Sequence, residues 1–214
     1  MYEIPNEHVL LPEEVPLRLK TATEVVADAL GDKPKSFRSP RLWGSTAVVN
    51  ALEALGYTAD ASYPMFYYKD RLVPYHPDKN DWTKEGDLNI IEIPNFADMA
   101  MESKHPLELD RDQWPLFRTK GAEAFMKHID SFIGYIRKRS LPVVLCFYIH
   151  PWEFIPMKEE FYFGMATTIP DKFLVDGCGE RGLKGLSGII DTLSERGAKF
   201  LSAGNLAEYW KKNY

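Results

Sequence analysis

The chain has 214 residues, 45% of them hydrophobic and 13% aromatic, enough for one well-buried globular domain spanning residues 1–214. A formal charge of -5 leaves no basic footprint for nucleic acid, and no apolar run reaches the roughly 18–20 residues of a membrane span. Two cysteines, Cys146 and Cys178, make neither a disulfide framework nor a CxxC metal site. The opening MYEIPNEHVLL lacks the basic-then-apolar layout of a secretory signal, which favours a cytoplasmic location for the chain as given.

Residues 12–30, PEEVPLRLKTATEVVADAL, place Leu17, Ala22, Val25, Val26, Ala29 and Leu30 on one helical face, with Gly31 as the stop. SFRSPRLWG follows as a strand end and loop, Pro40 disfavouring helix at the residue before it. Ser45 and Thr46 are N-cap candidates for a second helix over 45–55, which ends at Gly56 and hands over to the extended YTADAS. The Pro-rich stretch 63–87 is a long loop, a candidate lid or substrate wall. It carries His76 together with Tyr67, Tyr68, Tyr75 and Trp82, aromatic rings that pack internally or, at a cleft, suit a sugar. LNIIEIPNF (88–96) reads as a buried strand. Residues 120–139 read as a helix with a stripe of Phe125, Ile129, Phe132, Ile133 and Ile136. LPVVLCFYI (141–149) gives the strongest strand signal in the chain. Leu183–Arg196 is helical, AKFLSA a strand and NLAEYWKKN a closing helix. Trp43 and Trp114 are expected in the core, and His105 and His128 on the surface.

Strands separated by helices of this length argue for parallel βαβ units, which collect functional residues at the carboxyl ends of strands. Three such ends carry Arg38, Asp60 and His150. Converging at one mouth, they would supply a cation, a carboxylate and an imidazole, with Asp60 near hydrogen-bonding distance of His150. An aspartate beside a histidine orients the ring and favours its protonated form, as a general acid near neutral pH requires. The plainer alternatives are a strand-end histidine bonded to backbone, a turn-capping aspartate and a surface ion pair worth under about 1 kcal/mol.

FRSPRLWGSTAVVNALEALGYTADASYP resembles the central segment of the polysaccharide deacetylases (NodB homology, carbohydrate esterase family four), which shows an F-R-x-P turn, a helix and then G-Y-x-x-D-x-S. HPWEF is similar to the late histidine motif of the branch that carries H-P-x-E, and the tail from Asp176 is similar to that branch's closing helix, strand and helix. The resemblance implies a deformed (β/α)7 barrel that hydrolyses an N-acyl amide, most often an N-acetyl group on a sugar, with one divalent metal, zinc or else cobalt or nickel. It implies that Arg38 orients the base, that Asp60 partners the acid and that His150 is the acid. Trp152, Tyr75 and His76 would contact substrate. The family's T-F-D-D segment is absent, so the barrel would lack its first strands. Of the H-x-x-x-H ligand pair only His8 would remain, with Ile4 at the other position; a register placing Glu7 and Leu11 there fits worse. Either the chain lacks its first βα units or it has lost catalysis and kept a carbohydrate-binding cleft. An incomplete barrel exposes two sheet edges, which a second copy in a homo-oligomer would cover.

Overall fold

The structure is a computed structural model and describes residues 13–214. In chain order its elements are α1 (Val15–Leu30), β1 (Ser36–Phe37), α2 (Thr46–Ala54), β2 (Ala59–Asp60), α3 (Met65–Tyr68), β3 (Ile91–Glu92), α4 (Leu116–Thr119) and α5 (Ala122–Arg137). Then follow β4 (Phe161–Phe163), β5 (Ala166–Thr168), α6 (Lys172–Val175), α7 (Glu180–Glu195) and α8 (Ala203–Asn213). This is a mixed α/β chain with a small parallel sheet in the order β1-β2-β3 and a separate antiparallel β4-β5 hairpin. It packs as two compact units, residues 13–95 with Leu201–Tyr214, and Phe96–Phe200.

In the first unit the helices form where the sequence places them. Gly31 closes α1 in the left-handed region at φ 72, and the Ser45 hydroxyl accepts from Val48 N to cap α2. Val49, Leu52, Tyr57, Tyr63, Tyr75, Trp82 and Ile90 make the core beside the sheet. The expected apolar face of α1 is nevertheless outside: Leu17, Val25 and Leu30 are 68%, 63% and 71% exposed. The inward stripe runs every fourth residue through Val15, Leu19, Thr23 and Ala27. Thr23 is accepted inside because its hydroxyl is satisfied twice, by Leu19 O at 2.7 Å and Tyr57 Oη at 2.9 Å. Trp43 also departs from expectation at 60% exposed. Arg41 and Leu42 take φ of 56 and 59, and the turn aims Leu42 into the core instead.

The second unit is built on α5, whose Phe125, Ile129, Phe132 and Ile136 are buried as the stripe predicts. Phe96 and Phe147 pack against Phe125, and each such burial contributes about 1.5–3 kcal/mol. Gly182 and Gly185 let α7 approach closely. A Cβ on Gly185 would stand 2.2 Å from Phe117 O, and one on Gly182 2.7 Å from Glu153 O. The strand expected over 141–149 belongs to neither described sheet, and the same holds for AKFLSA. Within the first segment Cys146 O accepts from Phe96 N at 2.7 Å and Leu141 N donates to Ile136 O at 3.4 Å. Val143, Phe200 and Leu201 are exposed.

Candidate functional site

Two clusters gather the chemistry, one in each unit. In the first, β1, β2 and β3 run parallel with Phe37 beside Asp60 and Asp60 beside Glu92, so their carboxyl ends lie side by side. Arg38 follows β1, and its Nε donates to Ala61 O at 2.9 Å. Asp60, Ser62 and Glu92 are wholly buried, and Asn95 nearly so. Asp60 Oδ1 accepts from Ala61 N at 2.8 Å and from the Ser62 hydroxyl at 2.6 Å, while Ser62 Oγ in turn accepts from Ser39 N. Glu92 Oε1 accepts from the backbone N–H groups of Ser62 and Tyr63. Among the described residues no donor reaches Asp60 Oδ2 or Glu92 Oε2, and the two side chains stand on paired positions of adjacent strands. Burial raises Asp60 to about 6, against the opposing pull of hydrogen bonds from Ser62, Glu92 and Ala61 and of the Arg38 charge. Burial, and then the Asp60 charge, push Glu92 well above the usual carboxylate range.

In the second cluster His150 precedes a single tight turn, Pro151–Phe154, which Pro151 starts and Glu153 ties back. Glu153 Oε1 accepts from His150 N at 2.8 Å and lies 3.4 Å from His150 Nδ1. Glu153 is fully buried. Its Oε1 also accepts from the Trp114 indole at 2.9 Å, and its Oε2 from Arg118 Nε at 2.8 Å. Burial alone would raise this carboxyl; hydrogen bonds from the His150 side chain, Trp114, His150 N and Arg118 outweigh it and hold Glu153 below its ordinary value. Arg118 is equally buried, donates onward to Phe173 O and Asp176 O, and lies 5.2 Å from the Trp114 ring centre. His150, 30% exposed at its side chain, sits among the rings of Tyr148, Trp152 and Trp114 at 4.6, 5.3 and 5.9 Å between centres. An imidazole held on its Nδ1 side by a buried carboxylate presents its other nitrogen for proton transfer. Nearby, Asp112 accepts from Trp114 N and lines a cavity of about 20 Å³ with Trp114, Phe117 and Tyr148; burial lifts it to about 6.

The remaining sequence candidates fall as follows. Arg38 and Asp60 come together within the first unit, and His150 belongs to the second, where Glu153 is its described carboxylate partner. Trp152 is half-buried beside His150. Tyr75 is 4% exposed and donates its hydroxyl to Trp82 O, which places its ring in the core. His76 Nδ1 donates to Leu88 O at 2.6 Å and ties down the 63–87 loop. His8 lies outside the described residues. His128 is not a plain surface residue, because its Nδ1 meets the buried Asp98 carboxylate at 2.8 Å. Sequence reasoning missed Glu92, Glu153 and Arg118. The acid inside the apolar IIEIP run and the i+3 spacing of His150 and Glu153, a capping-box spacing, were signals for the first two. Arg118 in WPLFRTK carries none. Among the described residues no group of three or more His, Cys, Asp and Glu side chains is placed to hold a metal ion, so these residues do not by themselves fit the metal the resemblance implies. No helix among them is long and apolar enough to cross a membrane. No protein-family model matches the chain, and no curated protein matches it in sequence.

Proposed function

We propose that the chain is a hydrolase of carbon–nitrogen bonds, acting on the N-acyl amide of an amino sugar on a deformed (β/α)7 barrel, with His150 as the proton donor. The observation that carries this reading is the grip on His150. A buried carboxylate, anchored by Arg118 and Trp114, holds the backbone and Nδ1 of a half-exposed imidazole at the rim of an apolar segment. When the amide C–N bond breaks, the departing nitrogen gains a proton and the acyl carbon keeps the hydroxyl of water; an imidazole so held supports the first of these transfers. No step is assigned to a metal, since the described residues supply no three-ligand set and His8 stands outside them.

A second reading, a non-catalytic carbohydrate-binding protein, draws on the rings of Tyr148 and Trp152 flanking His150, flat faces of the kind that stack on sugars. The experiment that decides is acetate release from N-acetylglucosamine oligomers, with and without added zinc or cobalt, run beside oligomer binding by calorimetry. Release supports the hydrolase. Binding without release under every condition overturns it in favour of the binder.

A further inference from the structure

The carboxyl pair at the ends of β2 and β3 is the strongest unassigned feature in the molecule. Asp60 and Glu92 are register partners on adjacent parallel strands, both with no solvent exposure. Each has one oxygen occupied by two donors, and each keeps one oxygen that no N–H or hydroxyl reaches. Two ionised carboxylates so placed would repel in a medium that screens poorly, and a buried acceptor left without a donor costs about 1–3 kcal/mol. A hydrogen bond between two carboxyl groups forms only if one of them carries a proton. A single proton shared between the neighbouring carboxyls would give each orphaned oxygen a partner.

Among the described residues the groups facing the pair are few. Arg38 faces Asp60 from the segment after β1, while Tyr63 follows β2. Tyr75 pairs with Glu92 through backbone bonds in both directions, and its phenol is pushed upward first by burial and then by the Glu92 charge. Arg71 lies beyond Tyr75, and α8, which packs on β2, buries only Ala207 and Trp210. Among the described residues the cation facing the two carboxyls is Arg38, and it is half-exposed; a single shared proton would make up the difference.

We propose that Glu92 carries a proton at neutral pH and donates it from Oε2 to Asp60 Oδ2, so that the pair holds one negative charge and Glu92 is the positioning residue for Asp60. The proton locks Asp60 against the Ala61–Ser62 turn, and Ala61 O is the acceptor that both Arg38 Nε and Asn95 Nδ2 use. Glu92 thereby sets the place of Arg38 as well, without touching a ligand. This assignment rests on the strand-end geometry and stands whether or not the chain hydrolyses amides.

The test is infrared spectroscopy of the whole chain across pH, with and without carbon-13 glutamate labelling. A protonated carboxyl absorbs apart from carboxylates, and labelling separates a glutamic acid from an aspartic acid. The expected result is one buried acid band persisting at about pH 7–8, shifted by the glutamate label and absent in Glu92→Gln. Because an amide also donates a hydrogen bond, Glu92→Gln should keep the fold, whereas Glu92→Leu should lower the melting temperature. Absence of a glutamic acid band in the wild type at neutral pH overturns the proposal, as does its persistence in Glu92→Gln. The wild-type spectrum decides the matter even if a variant does not fold.

Discussion

Glu153 is where single residues matter most. It and Arg118 are both fully buried, so truncating either partner strands a charge in the interior, a change that costs about 3–5 kcal/mol. Glu153→Ala should therefore shift the denaturant midpoint strongly downward. Glu153→Gln, which keeps an oxygen for His150 N, should shift it less. Equal midpoints for Glu153→Ala and wild type would show that the ion pair contributes nothing. At this scale the sequence was legible where chemistry and chain position coincide. Arg38 and Asp60 follow short apolar segments and precede turns, and they do meet across Ala61. Glu92, Glu153 and Arg118 were not legible as a set, because a buried polar residue is explained by partners far along the chain, here 35 residues from Arg118 to Glu153.

At the scale of elements, two glycines in helices have opposite roles. Gly185 lies where α7 meets the backbone of α4, so Gly185→Ala would force the two apart and should destabilise by about 1–3 kcal/mol. Gly134, within α5, has nothing within 4 Å of an added Cβ, so Gly134→Ala should stabilise by about 0.5–1 kcal/mol through helix propensity alone. Thermal denaturation of the two variants checks both signs, and a destabilising Gly134→Ala would contradict the open surroundings described for it. Helices were easily read because capping and periodicity are local: Ser45, Gly31 and the α5 stripe all fall in place. The face of α1 was misread because its burial is decided by what packs on it, and Thr23 satisfied by Tyr57 outcompetes an exposed row of leucine and valine. Strands were harder still. The apolar run 141–149 belongs to neither described sheet, and since a strand is a property of pairs, composition alone does not name what it pairs with.

For the whole molecule the titrating groups pull in opposite directions. Asp60 and Asp112, each raised to about 6, and Glu92, raised well above the ordinary carboxylate range by burial and then by the Asp60 charge, bind protons more tightly folded than unfolded. Their contribution to stability is complete below the ordinary carboxylate range and is lost as pH rises through the raised values. Glu153, lowered, contributes above the ordinary range and loses its contribution as pH falls. The melting temperature should accordingly pass through a maximum on the acid side of neutrality and decline toward about pH 8. In Glu92→Gln the alkaline decline should flatten, with the Asp112 part retained. A melting temperature that rises steadily from about pH 5 to pH 8 would contradict this balance. The α/β class and the parallel sheet were legible from the alternation of elements. Barrel closure depends on how many strands pair around a circuit, which composition does not count.

The most direct measurement of the central claim compares wild type and His150→Asn for acetate release from N-acetylglucosamine oligomers, each with its melting temperature. His150 is half-exposed, and removing its ring leaves the Glu153–Arg118 pair intact, so the fold should persist while the rate falls by about 10²–10⁴-fold, the scale of a lost general acid. Equal rates in the two proteins, with both fully folded, would contradict the assignment of His150 as proton donor.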